Sequence, residues 1–326
     1  MMNGIIIVDK EPGFTSHDVV AKLRGICGQR KIGHTGTLDP MATGVLPVCL
    51  GSATKLCDML ADRDKEYVAE LLLGVETDTQ DVTGQVLARR LVEVEESQVR
   101  SAAQGFVGEY LQVPPMYSAL KVDGKKLYEL ARAGKEVERK ARPVRIYELE
   151  ILECSLPVVR MRVVCSKGTY IRTLCADMGE QLGCGGTMRS LRRTRVGQFS
   201  IEDACTLGQL QQWKDEGRLS QQGLMQTSVG QAGLNQTGLC QTSLGQALWP
   251  VDSIFRDCPA LHVRERDLRL LDNGNAIAPE QTAEGQVHEA DRRIRMYRPD
   301  GSFAGIYAYE PDRNWYRPVK MFLEKE

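Results

Sequence analysis

The stretch that most restricts how this chain can fold is residues 33–47, GHTGTLDPMATGVLP. Asp39 stands directly before Pro40, which disfavours helix at the aspartate and holds it extended or in a turn. Gly33, Gly36, Pro40 and Gly44 bracket it, so the backbone can bend sharply and approach a ligand closely. Thr35, Thr37, Thr43 and His34 add hydrogen-bonding and stacking groups. The run Val45-Leu46-Pro47-Val48 then reads as a buried strand. An aspartate in a Gly/Pro loop is ordinarily a turn former or helix cap. That reading leaves unexplained why so polar a loop is wedged against apolar chain.

Around this loop the pattern alternates between strand and helix. Gly4–Val8 is a short apolar strand that ends in the turn Asp9–Gly13. Lys10 in that turn reads as solvated, with a phosphate or active-site contact as the alternative. Thr15-x-x-Asp18 matches a capping box, and Val19, Val20, Leu23 and Ile26 follow at helical spacing. A short helix is expected at Thr54–Leu60, and a strand at Glu66–Leu73 that carries Tyr67. The acidic turn Thr77–Asp81 lacks calcium-loop spacing and reads as solvated. Glu95–Phe106 is an amphipathic helix. Val144–Cys154 and Val158–Cys165 are strands, the second with Val159, Met161, Val163 and Cys165 on one face. Ile171, Leu174, Cys175, Met178 and Leu182 form the stripe of a further helix, which Gly183 ends. Arg172 falls in its first turn, where a cation opposes the helix dipole. A facing carboxylate would relieve that, and Asp39 is the candidate.

Length and charge bound the function. A chain of 326 residues is expected to hold two domains. No run approaches the roughly 18 apolar residues of a membrane span, and no leader pattern opens the chain, so a cytoplasmic protein without membrane partners is expected. The ten cysteines include no C-x-x-C pair; reduced thiols are expected, with Cys49, Cys165 and Cys175 packing as small hydrophobes and no metal site. Net charge is −1, yet residues 121–145 hold nine Lys or Arg against four acids, and residues 189–195 hold four arginines. Both segments invite a phosphate-binding reading, with a solvated charged face as the plain alternative. Pro114-Pro115-Met116-Tyr117 leads into the first as a stiff spacer, and a short helix is expected at Leu127–Ala133.

From Gln221 to Trp249 the composition shifts abruptly. QTSVGQAGL at 226–234 recurs as QTSLGQALW at 241–249, too polar and too few copies for a core of its own. The last stretch offers strand candidates at His262–Arg264, Arg293–Arg298, Phe303–Tyr309 and Tyr316–Leu323. It also offers a helix at Glu265–Asp272 and a hairpin turn at Pro299-Asp300-Gly301.

The central loop, with IIIVDKEPGFTSH (5–17), EYVAELLLGVETDTQDVTG (66–84), QVPPMYSALKVDGKKLYELAR (112–132) and KGTYIRTLCADMGEQL (167–182), resembles the TruB family of tRNA pseudouridine synthases. The resemblance implies an α+β fold, with a mixed, mainly antiparallel sheet of the pseudouridine synthase type and flanking helices. It also implies a small, mostly-β, PUA-like C-terminal domain. The expected division is 1–215 catalytic with an RNA-clamping insertion at about 121–145, 216–249 linker or insertion, and 250–326 RNA-binding. The implied activity converts uridine to pseudouridine in the T arm of tRNA, at position 55, by a monomer without cofactor or metal.

In that reading Asp39, Tyr67 and Arg172 are catalytic. Asp39 must be ionised to attack sugar or base or to start elimination; Arg172 keeps it so against burial. Tyr67 stacks on the uracil and helps remove the C5 proton. His34 fills the stack that the flipped base leaves. Tyr170 packs beside the carboxylate, and Leu191 forms an apolar wall. Lys10, Gly33, Thr35 and Gly36 complete the substrate surface, and Lys121, Lys125, Lys126, Arg132 and Arg142 hold the RNA backbone. Two rivals are a non-catalytic RNA-binding or tRNA-folding protein on the same surface, and an aspartate-nucleophile hydrolase of a small metabolite. The first predicts that Asp39→Asn spares biological output, the second activity without RNA.

Overall fold

In this computed structural model, residues 1–122, 124–217, 219 and 248–323 are described. The chain opens with β1 (Gly4–Lys10), α1 (Ser16–Cys27), β2 (Ile32–His34) and β3 (Thr43–Leu50). The expected capping box starts α1: Thr15 Oγ1 accepts from the Asp18 N–H at 3.1 Å, and an Asp18 carboxylate oxygen accepts from the Thr15 N–H at 2.8 Å. A 3-10 turn (Gly51–Leu56) and α2 (Cys57–Ala61) replace the single helix expected at 54–60. There follow β4 (Lys65–Leu73), the hairpin β5 (Val75–Thr77) and β6 (Val86–Arg89), α3 (Glu96–Gly105) and β7 (Gly108–Gln112).

The basic insertion contributes a small hairpin, β8 (Lys121–Val122) and β9 (Lys125–Lys126), and α4 (Leu127–Arg132). The long strands β10 (Arg142–Ser155) and β11 (Val158–Cys165) return to the sheet. Then come α5 (Ile171–Gln181), β12 (Gly186–Val196), β13 (Phe199–Ser200) and α6 (Leu207–Asp215). The last elements are β14 (Leu248–Trp249), β15 (Ala260–His262), α7 (Leu268–Asp272), β16 (Arg293–Tyr297), β17 (Phe303–Glu310) and β18 (Trp315–Met321).

Ten strands form one sheet in the order β14-β1-β3-β12-β4-β11-β10-β7, with β2 on β3 and β13 on β12. Every pairing in it is antiparallel except β3 with β12. This is the α+β class that the sequence implied. Burial explains the two sequence patterns in it. On β3, Leu46, Val48 and Leu50 pack with α1 and α6, while Val45 and Cys49 pack on the opposite face with Ile5, Ile7 and Phe199. A strand covered on both faces is apolar throughout. On β4 and β11 only one face is covered: Tyr67, Ala69, Leu71, Val159, Met161 and Val163 join α3 and α5 residues in one core. The other face is charged, and Arg162 reaches Glu66, Glu148 and Glu150 at 3.2, 2.7 and 3.1 Å.

A four-stranded sheet, β15-β16-β17-β18, carries its own core of Leu261, Ile277, Ile294, Met296, Tyr307 and Tyr316. Another cluster joins the two sheets, since Val251, Ile254, Phe255, Ile306 and Phe322 pack with Ile5, Ile7 and Leu56. Leu248 and Trp249, expected within the low-complexity stretch, instead pair with Ile6 and Ile5 as β14; an apolar pair can extend a sheet edge that the preceding Gln/Gly/Thr sequence cannot. The rest of the 226–249 repeats lies outside the described residues. Among the described residues, no helix is long and apolar enough to cross a membrane.

The parallel contact of β3 with β12 fixes where the central loop sits. Gly44 has φ +99°, and a Cβ there would collide with the Arg193 carbonyl and amide on β12. Gly44→Ala is expected to destabilise the protein by about 3 kcal/mol, from strain and steric conflict together, as read by urea unfolding.

Candidate active site

Asp39 lies in the loop between β2 and β3, and the loop is tied down on both sides of it. The Leu38 N–H donates to Ser16 Oγ at 3.0 Å, and the Gly13 N–H to the Pro40 carbonyl at 2.9 Å. Arg172 reaches it from the first turn of α5. Its Nε is 2.9 Å from Asp39 Oδ2 and its Nη2 is 3.3 Å from Oδ1, a fork on both carboxylate oxygens. The carboxylate required by the helix dipole is therefore the expected one. Arg172 is 5% exposed and Asp39 38%, so the cation is sealed behind an acid that opens outward.

Two backbone carbonyls complete the hold on Arg172. Nη2 donates to Tyr117 at 2.8 Å and Nη1 to Thr79 at 3.1 Å. The turn at 77–81, read as solvated, is instead packed against the site. Asp81 Oδ2 is 3.9 Å from Arg172 Nε, and the Gln80 amide oxygen accepts from Thr173 Oγ1 at 2.8 Å. Backbone bonds between Gln80, Val82 and Met188 tie this turn to β12. A polar composition alone could not reveal that packing. Burial pushes the Asp39 carboxyl above its ordinary range; the Arg172 charge opposes the shift and Asp81 adds to it. The guanidinium thus acts in the expected direction without overcoming burial.

Tyr67 sits on β4 opposite Arg193 of β12, and Leu191 pairs with Ala69 two residues along. Both pack on the core that also holds Leu38 and Ala42 of the loop. Burial raises the Tyr67 phenol above its usual value, partly offset by Arg193. The phenol is therefore neutral near neutral pH. Tyr170 caps α5, and its backbone N–H and carbonyl are both held by the Gln112 amide, at 2.7 and 2.9 Å. Its phenol makes no hydrogen bond to Asp39.

His34 Nδ1 accepts from the Gly36 N–H at 3.3 Å, and its ring meets His17 edge-on at 5.1 Å. Burial, His17 and Arg193 all lower its pKa, leaving a neutral ring. Thr35 is buried, and its hydroxyl has no hydrogen-bond partner among the described residues. Gly33 backs onto the Cys57 sulfur, and the Gly36 carbonyl accepts from Arg193 Nη2 at 3.4 Å.

Lys10 departs most from its reading. It is fully buried rather than solvated, and Nζ donates to the carbonyls of Glu11, Phe14 and Pro40 at 3.0, 2.7 and 2.9 Å. All three donors are used, so it clamps the Asp39 loop to the preceding turn. The 189–195 arginines are corrected likewise. Arg189, Arg192 and Arg195 face Glu70, Asp9 and Glu66. Arg193 is 2% exposed and donates to the Val45 carbonyl at 2.7 Å. By contrast Lys121, Lys125, Arg132 and Arg142 are exposed and Lys126 half-buried, with Lys126 and Arg132 both over the Tyr128 ring. None of these five has a carboxylate within ion-pair distance among the described residues.

Comparison with known proteins fits this geometry. Residues 24–171 match the TruB family pseudouridylate synthase N terminal domain, and residues 172–256 the tRNA pseudouridylate synthase B C-terminal domain. The chain is 48% identical, over 99% of its length and 100% of the relative's, to tRNA pseudouridine synthase B of Lachnoclostridium phytofermentans. With the Clostridium kluyveri protein of the same name the identity is 51%, over 99% and 100%. Among solved structures, a chain of a Cbf5-Nop10-Gar1 complex superposes with a TM-score of 0.68 at 27% identity, covering 98% of this chain and 85% of that one.

The Lys10 clamp carries a pH signature. Burial lowers its pKa to about 8 from the usual 10.5, with Arg193 adding to the shift and Asp39 opposing it. A folded-state value below the unfolded one means that the charged form is disfavoured on folding, so stability gains a term as pH rises from about 8 to about 10.5. Lys10→Met is expected to remove that rising component, measured as urea unfolding free energy against pH in the two proteins.

Proposed function

The chain belongs to the TruB family and is a tRNA pseudouridine synthase, and from that premise we propose that it isomerises uridine in the T arm of tRNA, at position 55, with Asp39 initiating the chemistry. The observation that carries this reading is the Asp39–Arg172 fork, in which the acid opens outward and its counter-ion is sealed. Such an acid is accessible to a flipped-out nucleoside, while the bidentate guanidinium fixes its orientation and favours its ionised form.

The reaction breaks the bond from uracil N1 to the sugar, turns the base and rejoins it through C5; the C5 proton leaves to solvent and N1 takes one up. Atoms and oxidation state balance within the nucleoside, so the residues need only activate, hold and reorient it. Asp39 supplies the ionised carboxylate. Tyr67 and Leu191 form the apolar wall against which the base turns, with Tyr67 remaining a neutral phenol. Extracting the base from its stack costs a few kcal/mol. The neutral His34 ring offsets part of this by filling the vacated place, since an aromatic–base contact is worth about 1–3 kcal/mol. Arg193 and Lys10 keep the loop in place from behind.

Lys121, Lys125, Lys126, Arg132 and Arg142 hold phosphates of the RNA stem in this reading, with Tyr128 bracing two of them. The insertion that carries them is joined to the catalytic acid through the Tyr117 carbonyl on Arg172. The free thiols of all nine described cysteines fit a reducing cytoplasm.

Asp39→Asn is expected to abolish pseudouridine formation in an unmodified tRNA transcript while leaving RNA affinity within about threefold. Mapping pseudouridine along the transcript checks both the residue and the T-arm position; product from the variant, or product elsewhere, contradicts the reading. Replacing Lys121, Lys125 and Lys126 together by Ala is expected to weaken tRNA binding about tenfold or more at 100 mM salt. The same variant should flatten the slope of log affinity against log salt by about 2–3, in filter-binding titrations.

A further inference from the structure

Two thiols meet directly behind the strand that leads to His34. Cys49 is fully buried on β3 and pairs with Gly33 on β2. Cys57, at the start of α2, is half-buried, and a Cβ on Gly33 would lie 3.2 Å from its sulfur. Both cysteines pack in the same apolar cluster. Nothing in the isomerisation uses either of them.

We propose that Cys49 and Cys57 form a dithiol that hydroperoxides oxidise to an intramolecular disulfide, and that this bond displaces the Gly33–His34 strand and weakens RNA binding. The link to RNA rests on the reading that Gly33 and His34 face the substrate; formation of the bond does not.

The two sulfurs are not equivalent. The neighbouring Cys49 thiol lowers the Cys57 pKa, with Lys320 adding to the effect and burial and Asp58 opposing it, whereas Cys49 is pushed up by Cys57 and by burial. Cys57 is thus the one that ionises first and the one nearer solvent. Its thiolate attacks the distal peroxide oxygen, the O–O bond breaks, and a sulfenic acid and an alcohol (water, from hydrogen peroxide) result. The Cys49 sulfur then attacks the sulfenyl sulfur, forming the S–S bond and releasing water. Two thiols give up two electrons and two protons, and the peroxide accepts them. A disulfide demands closer sulfurs and a fixed torsion. The Cys57 sulfur occupies the space that a Gly33 Cβ would need, so the adjustment is transmitted to β2, which is only three residues long.

The test uses the full-length protein, reduced and then treated with stoichiometric hydrogen peroxide. Peptide mapping by mass spectrometry is expected to find Cys49–Cys57 as the main cross-link, and tRNA affinity should fall at least fivefold and recover with dithiothreitol. Cys57→Ser is expected to match the reduced wild type in activity and to be insensitive to peroxide; Cys49→Ala, which keeps the site apolar, should be insensitive too. Peroxide treatment that cross-links other cysteines, or none, overturns the proposal. A quantitative Cys49–Cys57 disulfide with unchanged tRNA affinity overturns the link to the His34 strand. Failure of the Asp39 reading shows separately, as product formed by Asp39→Asn under reducing conditions.

Discussion

The structure depends on one ion pair between residues 133 positions apart. Arg172 begins a helix, where its charge is unwelcome, and it is almost completely shielded from water. Asp39 satisfies both demands at once. Removing Asp39 leaves the buried guanidinium without its nearest counter-ion, which costs stability. The surrounding chain is arranged to keep them together: α5 is docked on β12, the 77–81 turn supplies a carbonyl and a second carboxylate, and the Tyr117 carbonyl closes the last side. Three separate segments, the Asp39 loop, the 77–81 turn and the stretch that carries Tyr117, thus touch the same guanidinium.

Behind this pair the loop is supported by buried cations held by backbone oxygens. Lys10 clamps Pro40, and Arg193 holds Val45 and Gly36. On β4, Lys65 donates to Ala61 and Arg63 at 2.6 and 2.5 Å, and its pKa falls, like that of Lys10, to about 8. Burial is the largest cause for both lysines, and the nearby Arg193 charge adds to it. Burial, the largest cause, leaves the Asp39 carboxyl above its ordinary range, while the charges of Arg172 and Lys10 pull it down. The basic side chains of the hairpin and α4 are different in kind, because Lys121, Lys125, Lys126 and Arg132 have no carboxylate within ion-pair distance among the described residues.

The parts legible in the sequence were those governed by short-range rules. The capping box, the alternation on β11 and the glycine-ended α5 follow from local periodicity and appear where expected. Asp39 and Arg172 could be paired because a helix dipole sets a requirement that only a carboxylate meets. Lys10, Arg193 and Asp81 were illegible for the opposite reason. A lysine in a turn, an arginine in a basic run and an aspartate in an acidic turn look solvated until the tertiary structure buries them. Leu248 and Trp249 were masked by the Gln/Gly/Thr sequence before them, and only the free edge of β1 gives them a place.

The most direct test follows the Asp39 carboxyl by carbon NMR, with aspartate labelled at the side-chain carbon, in the wild type and in Arg172→Gln. The account predicts a titration above the ordinary aspartate range in the wild type, because burial dominates, and a higher one still when the guanidinium is removed. An Asp39 that titrates like a solvated aspartate, or one indifferent to the loss of Arg172, would contradict it.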